Sequence, residues 1–356
     1  MNAPTGLLTA VRVADLRDAA ERARLAAFVF DHPDGTPFHL PEWGIATARG
    51  CGQRFAMLVA ERADGSLAGL VPLTSVGSPL FGRALVSAGF GVGGGILARD
   101  EGARAALAQA VIERAAAENC PTIELRGGPV PATGWTSDDE RYVGFVRDLA
   151  ADDAAELLAI PRKQRAEVRR ALGNDLPVSV GRGADDLRAH YRVYSESVRN
   201  LGTPVFPRAL FAQVLRAFGE DADILTVRHD GRAVASVLSL YCRGTVYPYW
   251  GGGTAEARGL RANDAMYFAL MRHAHARGCT RFDFGRSKVG TGAAAFKKNW
   301  GFVPEPLLYH VWTKDGAVPR DASPLNPRYR RKIELWQKLP LPVANLLGPM
   351  LARGLG

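Results

Sequence analysis

"VYPYWGGGTAEARGLRANDAMYFALMRHAHARGCTRFDFGRS", residues 246–287, is the stretch that decides the fold of this chain. An apolar run ends in three glycines, an amphipathic segment of about four helical turns follows, and a second apolar run begins after Cys279. A loop that opens a helix presents unpaired backbone N–H groups. The order strand, glycine loop, helix, strand therefore predicts an α/β unit whose loop suits an anionic ligand.

The same order occurs a second time, in residues 89–128. In each copy two apolar strands joined by an Asp-Gly turn lie upstream, at 55–76 and at 222–244, and this is a β-hairpin pattern. From the last loop glycine to the cysteine the distance is 25 residues in the first copy and 26 in the second. Several landmarks in one order predict a duplicated α/β domain; the alternative is two unrelated domains that share a generic pattern.

The composition is that of a globular protein with two domains. The chain has 356 residues, 47% of them hydrophobic and 23% charged, which is ordinary for soluble proteins. The N-terminus has no basic segment followed by an apolar one, and no apolar run reaches the length of a membrane span. The four cysteines are widely separated and are expected to be buried, reduced thiols. Histidine and cysteine spacing predicts no metal site, and we expect a cytoplasmic protein.

The net charge of +9 is concentrated in three segments. Residues 161–172 hold five Lys or Arg against one acid, residues 286–298 hold four against none, and residues 320–356 hold seven against two. The excess in these segments is +4, +4 and +5, so the rest of the chain is about −4. This distribution favours local anion sites over a chain that is basic everywhere.

The order of elements resembles the core of the GNAT acyltransferase fold. In that fold a Gln/Arg-x-x-Gly-x-Gly/Ala signature holds the coenzyme A pyrophosphate. In the second copy Arg258 is followed by "GLRA", so that Arg261 stands where the glycine is expected, and the first copy has no such signature. The sequence therefore argues against coenzyme A, although the fold resemblance keeps acyl-CoA as one of two candidate donors.

A closer resemblance is carried by three further segments, "IPRKQRAEVRRAL" (160–172), "VRNLGTPVFPRALFAQVL" (198–215) and "FDFGRSKVGTGAAAFKKNWGFVPEPLLY" (282–309). They resemble the FemAB-like branch of the GNAT superfamily, and more narrowly the FemAB-like proteins associated with XrtA exosortase (PEP-CTERM) loci. "TPFHLPEW" (36–43) and the C-terminal 335–356 also resemble that subgroup.

This resemblance implies an α/β (α+β) chain of two tandem GNAT-like domains, each a mixed β-sheet flanked by helices. The expected boundaries are 1–150, 151–320 and a basic, then apolar tail at 321–356. The implied activity is transfer of an acyl or aminoacyl group to an amine of a cell-envelope or exopolysaccharide precursor. The donor would be aminoacyl-tRNA, with no tightly bound cofactor, and the acceptor an anionic, lipid-linked or nucleotide-linked molecule.

The resemblance also places the reacting centre. In Fem transferases a Phe-Lys pair in an "FKxxFG"-like motif lies there, and Phe296 and Lys297 match it, with Trp300 in place of the first aromatic. A lysine ammonium can stabilise the oxyanion of amide formation, which is the role we predict for Lys297. The alternative is an exposed helix lysine. Asp283 is a candidate general base, or a residue that holds its own loop.

The remaining candidate residues would bind an anionic substrate. Arg and Lys side chains that follow a strand end lie where open α/β sheets place ligands, and the connector helix adds two arginines that can clamp a phosphate. The alternative for each is solvated surface charge. The predicted substrate-binding residues are Arg286, Lys288, Lys298, Arg165, Arg169 and Tyr249.

Two other functions fit parts of the pattern. One is an acyl-CoA-dependent N-acetyltransferase that acts on an amino sugar. The other is a non-catalytic module that binds anions or a membrane surface through its basic segments. The tail at 327–356 could rest on an anionic membrane with Trp336 at the interface, or pack back on its own domain. The sequence predicts no oligomeric state.

Overall fold

A computed structural model describes residues 8–78, 82–314 and 330–354. The chain divides into two compact units. Unit 1 comprises Met1–Asp139, Leu307–Ala322 and Arg353–Gly356, and unit 2 comprises Glu140–Pro306 and Ser323–Ala352. The part of the tail at 315–329 lies outside the described residues.

Unit 1 is built on an eight-stranded mixed sheet of order β1-β2-β3-β4-β6-β16-β7, with β5 paired to β3. Helix α3 packs on β2 and β3, and α2 also contacts these strands. The elements of unit 1 are β1 (Leu8–Val13), α1 (Ala19–Asp31), α2 (Pro41–Cys51), β2 (Arg54–Arg62), β3 (Leu67–Ser78), β4 (Gly82–Ser87), β5 (Leu97–Ala98), α3 (Glu101–Ala117), β6 (Thr122–Arg126), β7 (Thr136–Asp138) and β16 (Tyr309–Thr313).

Unit 2 has a second eight-stranded mixed sheet, of order β14-β8-β13-β12-β11-β10-β9, with β15 paired to β8. Helices α6 and α9 both pack on its strands, and α5 packs on α9. The elements are β8 (Tyr142–Asp148), α4 (Asp153–Ala159), α5 (Arg162–Leu172), β9 (Val178–Gly181), α6 (Ala184–Asn200), α7 (Arg208–Phe218), β10 (Ala222–His229), β11 (Arg232–Cys242), β12 (Thr245–Gly253), α8 (Ala257–Leu260), α9 (Ala262–Ala276), β13 (Arg281–Asp283), β14 (Ser287–Lys288), α10 (Gly292–Asn299), β15 (Pro304–Pro306), α11 (Arg330–Gln337) and α12 (Leu341–Ala352).

The two units repeat one plan. In unit 1, β2, β3 and β4 form an antiparallel meander, α3 crosses over, and β6 returns parallel to β4. In unit 2, β10, β11, β12, α9 and β13 do the same. Each crossover joins the parallel pair, as the βαβ connection requires. The prediction of two mixed sheets flanked by helices is confirmed.

The hairpin turns form where the Asp-Gly pairs predict them. Asp230 and Gly231 both have positive φ, 48° and 74°, which the type I′ turn between β10 and β11 requires. One detail of the duplication was wrong. In unit 2 the three glycines end β12, but in unit 1 β4 ends at Ser87 and Gly93–Gly95 lie in the loop before β5.

Each unit has its own apolar core between the sheet and its crossover helix. In unit 1 the fully buried Leu107 and Val111 of α3 pack with Ile123 of β6. In unit 2 Met266 and Leu270 of α9 pack with Phe282 of β13. All four cysteines are buried free thiols, as expected.

In each sheet the second strand from one edge comes from a part of the sequence distant from its partners. β16, which follows the whole of the second copy, pairs with β6 and β7 of unit 1. β8, which precedes the connector, pairs with β13, β14 and β15 of unit 2. The boundaries of 1–150, 151–320 and 321–356 for the duplicated domains stay a prediction.

The described part of the tail packs on unit 2. Helices α11 and α12 contact α6, and Arg199 of α6 donates to the carbonyl oxygens of Gln337 and Leu339. The indole Nε1 of Trp336 is buried, so its polar end does not face solvent as an interfacial tryptophan would. Among the described residues, no helix is both long and apolar enough to cross a membrane.

Candidate active site

The candidate site lies where β12 and β13 of unit 2 part. The two strands pair in parallel only at the first two residues of each, through Val246 and Phe282 at the last step. β12 then continues to Gly253 while β13 ends at Asp283. No other described strand takes the place of β13 beside this stretch of β12. The carboxyl ends of parallel strands are where α/β sheets place ligands.

Helix α10 carries the Phe-Lys pair. Its N-cap is Thr291, whose hydroxyl accepts from the Ala294 N–H at 3.4 Å and donates to the Lys288 carbonyl at 2.8 Å. This cap fixes the start of the helix and ties it to the loop after β13. Lys297 and Phe296 lie in the last turn of the helix.

Lys297 is held by the backbone of the loop between β13 and β14. Its Nζ donates to the carbonyl oxygens of Gly285 at 3.1 Å and Arg286 at 2.9 Å. It also stands 5.3 Å from the ring centre of Phe145 and 5.7 Å from that of Phe284, within the range of cation–π attraction. An ammonium group has three N–H donors, so two are used here and none of the described acceptors takes the third.

Burial lowers the pKa of Lys297 to about 8, opposed by the nearby carboxylate of Asp283 and assisted by the positive charge of Arg286. At pH 7 the side chain is still mainly protonated. The arrangement therefore supplies a positive charge and a directed N–H, which an oxyanion requires, rather than a free amine.

Asp283 holds the loop that holds Lys297. Its Oδ1 accepts from the Gly285 N–H at 2.8 Å, and the carbonyl of the same Gly285 receives Lys297. Burial raises the pKa of Asp283 to about 6, opposed by that hydrogen bond and by the charge of Lys297. This contact is the loop-holding alternative that the sequence left open beside the general base.

Aromatic rings line the same place. Tyr267 of α9 lies 4.7 Å from Phe284, 5.7 Å from Phe296 and 6.2 Å from Trp300 between ring centres. Trp300 is fully buried and belongs to the core, whereas Phe296 packs against the core from its edge. A Cβ added to Gly251 would lie 3.2 Å from Tyr267 Oη, so the hydroxyl reaches the open stretch of β12.

Sequence reasoning missed Tyr267 and Phe145. Neither stands in the segment with the Phe-Lys motif, because Tyr267 belongs to α9 and Phe145 to β8, which is more than a hundred residues upstream. Only pairing of β8 with β13 brings Phe145 to Lys297, and no local pattern marks that contact.

Two of the predicted anion-binding residues share one aromatic neighbour, and the positive charge of one of them, Arg286, also acts on Lys297. The guanidinium of Arg286 stands 4.9 Å from the ring centre of Tyr142, and Lys288 Nζ stands 5.7 Å from the same ring. Lys298 is exposed on α10. The structure therefore brings the cations of 286–298 together on one loop and helix.

The predicted residues outside this segment are placed differently. Arg165 donates to the carbonyl oxygens of Ile160 and Leu158 at 3.1 and 3.0 Å, which fixes α5 to the end of α4. Arg169 is exposed on α5. Tyr249 is half-buried on β12 with its ring 4.7 Å from Trp250. None of the described contacts joins these three residues to Lys297.

The loop before α9, where the GNAT signature would bind a pyrophosphate, is occupied by the chain itself. The Glu196 carboxylate accepts from the Ala255 N–H at 2.9 Å, and Glu167 of α5 pairs with Arg261 at 2.7 Å. Gln164 of α5 donates to Asp264 at 2.6 Å, and burial raises the pKa of that carboxyl. Carboxylates therefore surround the start of α9, which opposes a diphosphate there.

The start of the corresponding helix in unit 1, α3, is also occupied by a side chain of the protein itself. Asp100 caps α3, accepting from the Ala103 N–H at 2.8 Å, and pairs with Arg62. A side-chain carboxylate thus takes the position that an anionic ligand would occupy.

The comparisons with known proteins bear on the fold and on the class of enzyme. Residues 161–298 match the family model Acetyltransf_6, described as an acetyltransferase (GNAT) domain. The match contains α5, α9 and Lys297, and it confirms the prediction of an acyltransferase domain in the second half of the chain. A sequence search of curated proteins found no match.

Among solved structures, similar ones include FemX, at 16% identity over 88% of this chain and 98% of that one, with a TM-score of 0.66. L-PGS from Bacillus licheniformis is similar at 16% identity over 97% and 99%, with a TM-score of 0.54. A tandem GNAT protein from the clavulanic acid biosynthesis pathway is similar at 15% identity over 88% and 100%, with a TM-score of 0.55. These likenesses establish the fold, two GNAT-type units in tandem.

Proposed function

We propose that unit 2 transfers an acyl or aminoacyl group to an amine and forms an amide bond. The observation that carries the proposal is the Lys297 ammonium, held by two carbonyl oxygens in a largely buried setting, with one N–H left to donate. The similarity to FemX and L-PGS supports a transferase of this kind.

The reaction begins when a neutral amine attacks the carbonyl carbon of an activated ester. The C–N bond forms, the carbonyl π electrons move to oxygen, and Lys297 donates its third hydrogen to that oxygen. Collapse of the tetrahedral intermediate breaks the bond between the carbonyl carbon and the leaving group, which takes a proton from solvent and departs as the free alcohol, or as the thiol if the donor is acyl-CoA. A preorganised donor of this type lowers such a barrier by about 3–4 kcal/mol. The attacking nitrogen loses a proton to water or buffer, because α-amines titrate near neutral pH.

Asp283 acts in this proposal as a positioning residue. Its carboxylate fixes the Gly285 N–H, and Gly285 in turn presents its carbonyl to Lys297. Phe296 and Tyr267 border the open stretch of β12 and would contact the acyl group.

For the donor we favour the aminoacyl ester of a tRNA over acyl-CoA. Glu196 already accepts from the Ala255 N–H and Glu167 pairs with Arg261, so the groups at the start of α9 that could bind the diphosphate of coenzyme A are taken by the chain itself. The GNAT domain match keeps acyl-CoA as the alternative donor, for an enzyme that acetylates an amino sugar.

For the acceptor we favour an amine on a lipid-linked or nucleotide-linked precursor of the cell envelope or of an exopolysaccharide. Arg286 and Lys288, which both approach the ring of Tyr142, suit the diphosphate that such precursors carry. The likeness of residues 282–309 to FemAB-like proteins of exosortase loci supports a polysaccharide precursor.

The test is a transfer assay with the full-length protein. Radiolabelled aminoacyl-tRNA and acetyl-CoA are each offered with an amine-bearing nucleotide-sugar or a lipid-linked precursor, and the amide product is identified by mass. We expect product from aminoacyl-tRNA, lost in Lys297→Met and kept in Lys314→Met, which changes an exposed lysine of unit 1. Product from acetyl-CoA alone would establish the alternative donor, and no product from either donor would favour the non-catalytic binding module.

A further inference from the structure

The outward face of α12 carries a stripe of large apolar side chains. It consists of Val343, Leu346, Leu347 and Met350, all exposed, with Leu346 at 73% and Met350 at 69%. Their spacing of i, i+3, i+4 and i+7 places them on one side of the helix. We refer to these four residues as the α12 stripe.

The inward face of the same helix is made of small residues. Ala344, Gly348 and Ala352 are buried, and a Cβ added to Gly348 would lie 3.0 Å from atoms of Val205. The helix thus packs closely by its small residues and turns its large apolar residues to solvent. This is the reverse of an ordinary surface helix, whose large apolar residues face the core.

Such a stripe requires a partner. Single exposed apolar residues are common, but a contiguous set on one helix face marks an interaction surface. The helix before it, α11, adds the exposed Leu335. Exposed cations on and just after α11 include Arg331 and Lys338.

We propose that the α12 stripe lies on the surface of an anionic lipid bilayer. The apolar side chains would enter the boundary between headgroups and acyl chains, and the cations of α11 would contact anionic headgroups. A helix of 12 residues is too short to span a bilayer, which needs about 20, so it lies along the surface. The contacts of Arg199 with Gln337 and Leu339 fix the end of α11 and the linker that leads into α12.

The sequence had suggested Trp336 as the interfacial residue, and the structure assigns this role to α12 instead. The indole Nε1 of Trp336 is buried on the protein side. The proposal does not depend on the acyltransferase reaction, because membrane binding is measured without turnover.

The test is co-sedimentation of the full-length protein with vesicles. One set contains phosphatidylglycerol and phosphatidylcholine, and the other contains phosphatidylcholine alone. We expect binding to the anionic vesicles only, weakened by 0.5 M salt. The double variant Leu346→Glu, Met350→Glu should lower the partition coefficient at least tenfold.

The matched control is Leu158→Glu, Leu172→Glu, which adds two acids at leucines that are exposed by 60% and 50% elsewhere in unit 2. It should bind as the wild type does. Failure of the wild type to bind anionic vesicles would overturn the proposal, as would equal loss in both double variants. If light scattering shows that the wild type is a dimer and that the α12 double variant, but not the control, is a monomer, the α12 stripe binds a second copy of the chain and the proposal is overturned.

Discussion

Replacing Lys297 by methionine separates its effect on stability from its effect on catalysis. The ammonium is costly to bury, since burial lowers its pKa from the ordinary 10.5 to about 8, which corresponds to about 3 kcal/mol at 1.36 kcal/mol per pH unit. Two hydrogen bonds to Gly285 and Arg286 offset this cost, at about 1–1.5 kcal/mol each. The variant removes both the cost of burying the ammonium and the two hydrogen bonds that it donates, so the free energy of unfolding should change by less than about 1–2 kcal/mol.

The activity of the same variant should fall much further. Loss of one oxyanion donor lowers kcat by about 10²–10³-fold. Single-turnover transfer from the preferred donor measures this step, and urea denaturation measures the stability. Lys314→Met is the control, because Lys314 is an exposed lysine of unit 1 that belongs to neither the catalytic nor the substrate-binding residues; it should keep most of the activity. Transfer by Lys297→Met above a tenth of the wild-type rate would refute the oxyanion role, and a large drop in stability would refute the balance of burial and hydrogen bonding.

Three further outcomes follow from the same geometry. Because the protonated form of Lys297 is active and burial lowers its pKa to about 8, kcat should decline above that pH, and a profile that stays flat to pH 9.5 would contradict this. Burial raises the pKa of Asp283 to about 6, so the folded state binds this proton more tightly than the unfolded state does, and the contribution of Asp283 to stability falls as pH rises from 4 to 6. The urea midpoint of the wild type should therefore approach that of Asp283→Asn as pH is lowered. A constant difference between the two midpoints over this pH range would exclude the effect. Gly252→Ala should cost about 1–3 kcal/mol of unfolding free energy, because its Cβ would meet Ser197 Oγ. Gly259→Ala, whose Cβ meets nothing within 4 Å, is the control and should be neutral in the same denaturation experiment.

The helices and hairpins of this protein could be predicted from local patterns. The Asp230–Gly231 turn, the helix after the glycines at 251–253 and the helix that follows Pro161 all form where the sequence places them. Each depends on residues within a few positions of one another, and such residues fix turn geometry and helix ends. The candidate lysine was also predictable, because it stands in a local motif.

Sheet membership was not predictable in this way. β8 and β16 are short strands whose sequences do not indicate which sheet they join. Each pairs with a strand that is far away along the chain. The role of Arg165 shows the same limit. Its charge and helical position predict that it binds an anion, but in the structure its guanidinium donates to backbone carbonyl oxygens at the end of α4.

Local sequence is therefore enough to predict the duplicated strand–helix–strand plan, the break in the pyrophosphate signature at Arg261 and the concentration of cations at 286–298, because all of these are properties of neighbouring residues. The surroundings of Lys297 depend on the packing of distant elements. Phe145 arrives from β8, Tyr267 from α9 and the loop carbonyls from beyond β13. Burial by these distant elements is what lowers the pKa of Lys297 and leaves one N–H to donate, and burial is a property of packing that no single segment carries.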